Sequence, residues 1–471
     1  MAKRLFGKLP LAVAVLCLAF APVLTGCDGS GSPAGGGGTG NDIVNGGGGT
    51  GNGGGAGDNG TGNNGGTGGN GGNETGGNGD TGTGDTGGGG PSAFVMVAAG
   101  LSHTLAICED GKLWAWGNRS FGRLGTGGAV PSGNETTPIQ VGTHSDWVHV
   151  AAGDQHSLGI REDETTGNRT LWAWGPRQFG RLGTGATSSN QTTPIQVGTD
   201  TDWLYVSAGR NFSVGIRGTD LAEGGQMWAW GYGASGRLGQ GTGITANRYA
   251  PVRVGTGSDW ISVSAGESYT LGIRGVDRRL YSWGVGAGGN YGLGTGATVP
   301  QNRYSLAPIG SIRTGWTQVS AGMNHSLGIR AGYLYAWGAG TNGRLGTGNE
   351  NRQLAPTRIG AASDWETVSA GRNHSMGIRA GYLYAWGANA EGRTGLGTTG
   401  NTYMPTRVGT QAAWTGVSTG ASSSTAQSRH SVGIRAGKVY TWGYNGNGRT
   451  GHGTADGYTP VPTLVSFPAG N

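Results

Sequence analysis

The chain has 471 residues, of which 106 are Gly and only 12% are charged, and its net charge is +6. Three cysteines exclude a disulfide framework and a four-thiolate zinc site. The length allows a large buried core, yet the chain beyond its first 90 residues shows no sustained helical stripe, which excludes a helical bundle.

At the N-terminus, Lys3, Arg4 and Lys8 precede an apolar run from Leu9 to Leu24, broken by Pro10 and Pro22. This is the layout of a secretory signal over residues 1–26, and the run is short for a permanent transmembrane helix. It ends in Leu24-Thr25-Gly26-Cys27, which resembles the lipobox of bacterial lipoproteins. That resemblance implies a diacylated Cys27 as the first mature residue. It also implies an exported protein of the bacterial cell envelope, periplasm-facing or at the surface, held to the membrane by its lipid alone. Asp28 resembles the inner-membrane retention signal of enteric bacteria, a rule that differs between bacteria and leaves the leaflet open. Residues 27–90 are almost entirely Gly, Asn, Thr and Ser with six acids. Such a segment cannot bury a core and is expected to be disordered. A Gly-rich coil of this length has a root-mean-square span of roughly 45 Å, a leash for the domain that begins at residue 91.

Removing the three basic and six acidic residues of the first 90 from the net +6 leaves +9 on residues 91–471. The 29 basic residues there are 27 Arg and 2 Lys, Lys112 and Lys438. Arg favours planar paired hydrogen bonds and aromatic stacking, so much of this charge reads as structural. Cys17 falls in the signal and Cys27 at the lipid site, so Cys108 has no partner for an intrachain disulfide.

From residue 91 the sequence repeats. Blocks of the type HSLGI place His103, His156, Phe212, Tyr269, His325, His374 and His430 at spacings of 53, 56, 57, 56, 49 and 56 residues. A small-residue pair such as Ala152-Gly153 precedes each block. A Trp-Gly pair follows, at Trp116, Trp174, Trp230, Trp283, Trp337, Trp386 and Trp442. Then come a Gly-rich hexapeptide such as GRLGTG (Gly122–Gly127), a segment such as TTPIQVG, and a segment such as SDWVHVAAG. Four short strand-like stretches separated by Gly, Asn and Pro turns make a four-stranded unit. In LWAWG, alternation sends Leu113 and Ala115 to one face and Trp114 and Trp116 to the other, so rings can pack between neighbouring sheets. Seven such units predict an all-β, seven-bladed β-propeller over residues 91–471.

The run V-S-A-G-x-x-H-S-L-G-I-R, L-Y-A-W-G, G-R-L-G-T-G, cleanest from Val319 to Gly348, resembles the repeat of the regulator of chromosome condensation family. The resemblance spans residues 93 to 467 and implies a seven-bladed propeller. Six segments containing Trp147, Trp203, Trp260, Trp316, Trp365 and Trp414 follow repeats one to six, and none follows the seventh. The expectation is that FVMVAAG, Phe94–Gly100, completes a blade built from C-terminal strands such as Pro460–Phe467. Small residues in the VSAG strand suit the crowded rim of the ring axis.

Seven copies of the hexapeptide argue against a nucleotide loop, which needs one copy between a strand and a helix. Glycines there serve tight turns, and the Arg repeated at 123, 181, 237, 344, 393 and 449 is placed to brace each turn against its neighbour. The repeat-locked histidines read as buried hydrogen-bonding strand residues, because a metal or catalytic site needs convergence of different residue types. His144, His149 and His452 lie off the repeat with nothing nearby to complete a site. A second array, Arg161, Arg217, Arg274, Arg330, Arg379 and Arg435, reads either as exposed charge for an acidic partner or as inter-blade salt bridges. Asp146, Asp202, Asp259 and Asp364 favour the second.

Departures from the repeat are the candidate partner-binding residues. The long turns REDETTGNRT (Arg161–Thr170) and RGTDLAEGGQ (Arg217–Gln226) contribute Arg161, Glu162, Asp163, Glu164, Asp220 and Glu223, and the insertion Ala421–Arg429 contributes Arg429. If these turns share a face, the first two make an adjacent acidic pair. No cofactor, metal or catalytic constellation is indicated. The preferred function is a non-catalytic binding scaffold, monomeric, presenting one propeller face to a protein or polysaccharide. A glycan-acting enzyme with a site at the ring axis, and electrostatic binding of nucleic acid or another acidic polymer, stay open behind it. The family's guanine-nucleotide exchange needs a nuclear GTPase, which an exported bacterial protein does not meet, and fold resemblance does not transfer it.

Overall fold

The computed structural model of the chain describes residues 91–128, 133–286, 291–299, 301–310, 314–420 and 430–468. The expected signal, Cys27, the expected leash and Arg429 lie outside these residues. The first sheet consists of β1 (Phe94–Ala99), β2 (His103–Cys108), β3 (Leu113–Asn118) and β4 (Asn134–Gln140), each antiparallel to the next. The second repeats the order with β5 (Trp147–Ala152), β6 (Ser157–Glu162), β7 (Arg169–Pro176) and β8 (Asn190–Gln196). Five more four-stranded sheets follow, the last built from Trp414–Thr419, His430–Arg435, Lys438–Tyr444 and Tyr458–Leu464. Seven consecutive four-stranded blades, with no α-helix among the described residues, are the propeller that the repeats imply.

The phase of the blade differs from the expectation. β1 pairs with β2, Val97 opposite Ala106, and Tyr458–Leu464 pairs with Lys438–Tyr444, so the two ends of the chain share no sheet. A segment such as SDWVHVAAG crosses to the next blade and opens it. Phe94–Ala99 is therefore the first strand of blade 1, and nothing is missing after blade 7.

Side chains close the ring instead. Phe467 packs on Phe94 at 4.2 Å between ring centroids, and edge-on to Trp114 and Trp116 at 5.5 and 5.8 Å. Phe94 donates its N–H to Gly437 O at 2.8 Å, as Trp147 does to Gly111 O at 3.1 Å between blades 1 and 2. The closing seam thus reuses the contacts of the others and leaves no inner strand edge open.

The first strand of each blade lies innermost and touches the first strands of its neighbours, which puts the small VSAG residues at the ring axis as expected. There a serine accepts the next blade's backbone N–H: Ser207 from Ala265, Ser264 from Ala321, Ser320 from Ala370, Ser369 from Thr419 and Ser418 from Ala99, at 2.9–3.1 Å. Between blades the core is sorted by strand alternation. Trp114 and Trp116 pack with Val432 and Ile434 of blade 7, while Leu113 and Ala115 pack with Trp147 and Trp174 of blade 2. Eleven indoles are buried to under 2% exposure and add large apolar area to these seams.

Because strands alternate in direction, each blade has two ends. The AG turns, after residues such as Ala99-Gly100, and the hexapeptides lie at one end. The GIR turns, such as β2 to β3, lie at the other, where the chain enters β1: Glu109 N donates to Ala93 O at 2.8 Å.

Candidate functional site

At the AG-turn face the hexapeptide forms a short 3₁₀ turn, Gln178–Gly180 in blade 2, with Phe179 and Gly180 both at positive φ, 60° and 78°. A Cβ on Gly180 would sit 2.7 Å from Arg248 O of the next blade, and one on Gly183 would sit 3.0 Å from Trp230. The glycines let the turn press against its neighbour. The following Arg closes the turn: Nε of Arg123, Arg181, Arg237, Arg344, Arg393 and Arg449 donates to the carbonyl three residues back at 2.6–3.0 Å. These six side chains are at most 7% exposed. Burial pushes Arg123, Arg181, Arg237 and Arg344 down to about 10. Arg344 and Arg449 also reach across a seam, to Arg372 O at 3.4 Å and Leu101 O at 3.1 Å. The hexapeptide is a seam element, its glycines and its Arg serving the turn and the neighbouring blade.

The repeat-locked histidines complete the same seam. His103 Nε2 meets Ser157 Oγ at 3.0 Å, and Ser157 Oγ donates to Arg123 O at 2.8 Å. The serine spends its proton on the carbonyl, so it accepts from His103 and the ring carries its proton on Nε2. The pattern recurs at His156–Ser213, His325–Ser375, His374–Ser431 and His430–Thr104. All five rings are fully buried, and burial holds them below the usual imidazole range, His374 at about 3. In blade 4 two departures compensate. Tyr269 Oη replaces the imidazole at 2.8 Å from Ser326 Oγ, and its ring occupies the space that a Cβ at Gly292, where other hexapeptides have Arg, would need.

The residues directly after the AG pairs ring the axis, and sequence reasoning passed over them. They include Leu101, Asp154, Arg210, Glu267, Met323 and Arg372, one to a blade. Arg210 joins Glu267 at 2.9 Å and Asp154 at 3.8 Å, a chain of charge across blades 2, 3 and 4. The acids are 10–11% exposed by side chain and Arg210 is 37% exposed. These residues line a pocket with the backbone of Gly100, Gly153, Gly209 and Gly266. The readable signal was charge alternating between blades at one repeat position.

At the GIR-turn face the second Arg array is structural, as favoured, but its ion pairs lie within blades and not between them. Arg161–Asp146, Arg217–Asp202 and Arg274–Asp259 are 2.6–2.7 Å apart. Each Asp precedes the first strand of the blade that holds its Arg, the same phase that overturned the shared blade. Arg161 and Arg217 also lie over Trp172 and Trp228 at 4.7 and 4.6 Å. Arg330 and Arg435 use Thr314 O and Tyr440 Oη instead, each at 2.7 Å.

The two long turns, on adjacent blades, share this face. Arg161 is committed to Asp146, and Glu162 pairs with Arg169 at 3.2 Å. Asp163 accepts from Thr166 and Thr165, bonds that hold its carboxyl below the usual range. Asp220 caps its own turn through Ala222 N at 2.9 Å, and Gly225 pairs with Trp260 of the next blade. Glu164, Asp220 and Glu223 are exposed. Among the off-repeat histidines, His149 is buried on Val206 O at 2.9 Å and His452 meets Thr441 Oγ1 at 3.0 Å. Burial pushes the Cys108 thiol up to about 12, which keeps it unreactive. Among the described residues no three His, Cys, Asp or Glu side chains gather to hold a metal, and no helix is long and apolar enough to cross a membrane.

A closed ring with buried seams and charged turns at both ends defines a repeat propeller whose faces carry its chemistry. The chain belongs to the family of the Regulator of chromosome condensation (RCC1) repeat, whose model matches residues 110–160, 170–216, 224–273, 331–378, 380–427 and 436–471. A second model of that repeat matches residues 94–123. The chain is similar to the ultraviolet-B receptor UVR8 of Arabidopsis thaliana, 29% identical over 56% of this chain and 58% of the receptor. It is 33% identical to the E3 ubiquitin-protein ligase HERC2 of Homo sapiens over 40% of this chain and 4% of that ligase. The chain thus matches less than two thirds of either relative. Prp20p of Saccharomyces cerevisiae, solved in work on its binding to Gsp1p and histones, superposes with a TM-score of 0.64 at 20% identity, covering 77% of this chain and 87% of that one. That likeness shows the fold. The family is one of binding and regulatory proteins.

Proposed function

We propose that the chain is an exported, lipid-anchored, non-catalytic binding scaffold that holds a protein partner on its AG-turn face. The observation that carries this reading is the Asp154–Arg210–Glu267 chain at the ring axis. The propeller needs small residues in the AG pairs and leaves the next position free, so three alternating charges there are available for recognition. Prp20p, solved in work on its binding to Gsp1p and histones, supports a protein over a polysaccharide. The lipobox Leu24–Cys27 supports the anchor. Glu164, Asp220 and Glu223, exposed on adjacent blades, favour the GIR-turn face as a second contact surface.

The test compares proteins captured from cell-envelope extract by the full chain, by Arg210→Ala, and by a form with both long turns cut to four residues. Loss of a partner with Arg210→Ala alone supports the AG-turn face, and loss with the shortened turns alone moves the contact to the other face. Retention of every partner by both overturns the scaffold surface. Separately, Cys27→Ala is expected to move the protein from the detergent phase to the soluble fraction. Continued detergent partitioning refutes lipidation at Cys27.

A further inference from the structure

Two turns of the AG-turn face hold a residue that neither the turn nor the core requires. In the middle of the hexapeptide turns the backbone passes through positive φ, between 59° and 70°, at Phe121, Phe179, Ser235, Asn342, Glu391 and Asn447. Asn enters this region at low cost, whereas a bulky ring strains it. Blades 1 and 2 nevertheless place phenylalanine there and leave it 41% and 39% exposed. The rings are not needed to bury the arginine two residues on. Arg123 and Arg181 lie 5.6 and 5.5 Å from them, yet Arg344, in the turn that carries Asn342, is itself only 6% exposed. Backbone strain and exposed apolar surface at the same two positions point to contact with something outside the ring.

Both rings belong to one stretch of surface. The Phe121 turn presses on blade 2, where a Cβ on Gly122 would sit 2.7 Å from Gln191 O, and the Gln191 side chain accepts from Arg177 at the start of the Phe179 turn. Phe179 packs on Tyr232 of blade 3 at 4.8 Å between ring centroids. Tyr249, 41% exposed, lies beside the same turn, its ring 2.7 Å from where a Cβ on Gly180 would stand. Arg177 and Arg248 flank these rings, half-buried, and among the described residues neither forms an ion pair with a carboxylate. Guanidinium groups donate hydrogen bonds and accept none. Aromatic rings between unpaired cations therefore suit a ligand that brings apolar side chains and carboxylates together.

We infer that Phe121 and Phe179, with Tyr232 and Tyr249, anchor an acidic segment of a partner protein, the rings taking its apolar side chains and Arg177 and Arg248 its carboxylates. The inference rests on the AG-turn face being the binding face and names the chemistry of the segment held there. A neutral glycan fits less well, because its hydroxyls need acceptors as well as donors.

The experiment is calorimetric titration of the full chain with three nine-residue peptides, each with Leu at the third and seventh positions and with Glu, Ser or Lys at all others, and with polygalacturonate as an acidic glycan. The glutamate peptide is expected to bind, the serine peptide about fivefold or more weaker and the lysine peptide not at all, with the preference shrinking in high salt. Phe121→Asn/Phe179→Asn installs the residue that blades 5 and 7 use, as Asn342 and Asn447. It is expected to weaken the glutamate peptide about tenfold or more, as loss of a hot-spot side chain does, with a urea midpoint no lower than that of the native chain because the strain is relieved. Rings that serve packing instead give unaltered binding and a lower midpoint, and either result overturns the inference. Equal binding of the three peptides, binding of none, or binding of polygalacturonate alone also overturns it. If no peptide binds while Arg210→Ala still loses a captured partner, the AG-turn reading survives and the aromatic anchor falls.

Discussion

Both faces of the propeller carry a ring of arginines, and the two rings solve opposite problems. At the GIR-turn face Arg161, Arg217, Arg274 and Arg379 are partly exposed, with an aspartate of the same blade beside each. At the AG-turn face six arginines are buried and spend their Nε on a backbone carbonyl. Burying a cation is costly, and these persist because each closes a turn that the next blade rests on. One residue type at two repeat positions thus serves as a solvated pair in one place and as a seam bolt in the other.

The largest expected contrast is between Arg181→Ala and Arg330→Ala. Arg181 is 1% exposed, and its removal leaves a cavity at the blade 2–3 seam and an unclosed turn, a loss of about 2–4 kcal/mol. Arg330 meets only a carbonyl in solvent, and its loss costs under about 1 kcal/mol. Urea unfolding of the two variants checks this, and equal costs would break the contrast.

Acid sharpens it next. His374 stays neutral in the fold down to about 3, whereas the unfolded ring takes its proton near the usual value of 6.5. Between these values the unfolded state holds the extra proton, so stability falls as pH falls, by up to about 1.4 kcal/mol per unit for each such ring. Blade 3 already tolerates Phe212 at this position. His374→Phe should make the dependence of the urea midpoint on pH shallower by one proton's worth, and an unaltered slope would show that the ring is not held neutral.

The smallest effect belongs to the exposed ring. Asp146→Asn removes the carboxylate beside Arg161, whose stacking on Trp172 remains, and should cost about 0.5 kcal/mol, shrinking further in high salt. A cost above about 2 kcal/mol at high salt would mean the GIR-turn pairs are bolts as well.

The repeat and the blade count were legible because each is a local pattern copied seven times, and the buried role of the histidines because five of the seven copies carry one at the same position. The sorting of Trp114 and Trp116 from Leu113 and Ala115 followed from alternation alone. The blade's phase was not legible, since a repeat can be cut at any point and only hydrogen bonding assigns the Trp147 strand to the blade after it. That single uncertainty carried over to the Asp–Arg pairs, which are local once the phase is known. The long acidic turns drew notice by their length, but Glu162 and Asp163 are largely committed to their own turn. Asp154, Arg210 and Glu267 drew none, being 56 and 57 residues apart and ordinary singly.

By itself the sequence determined seven copies of one four-stranded unit, because strand alternation and Gly turns act over a few residues. Tertiary structure decided which strand opens a blade, how the ring closes through Phe467 and Gly437, and which charges meet at the axis. Those outcomes depend on residues brought together only when the ring shuts, and no local pattern encodes a distance across it.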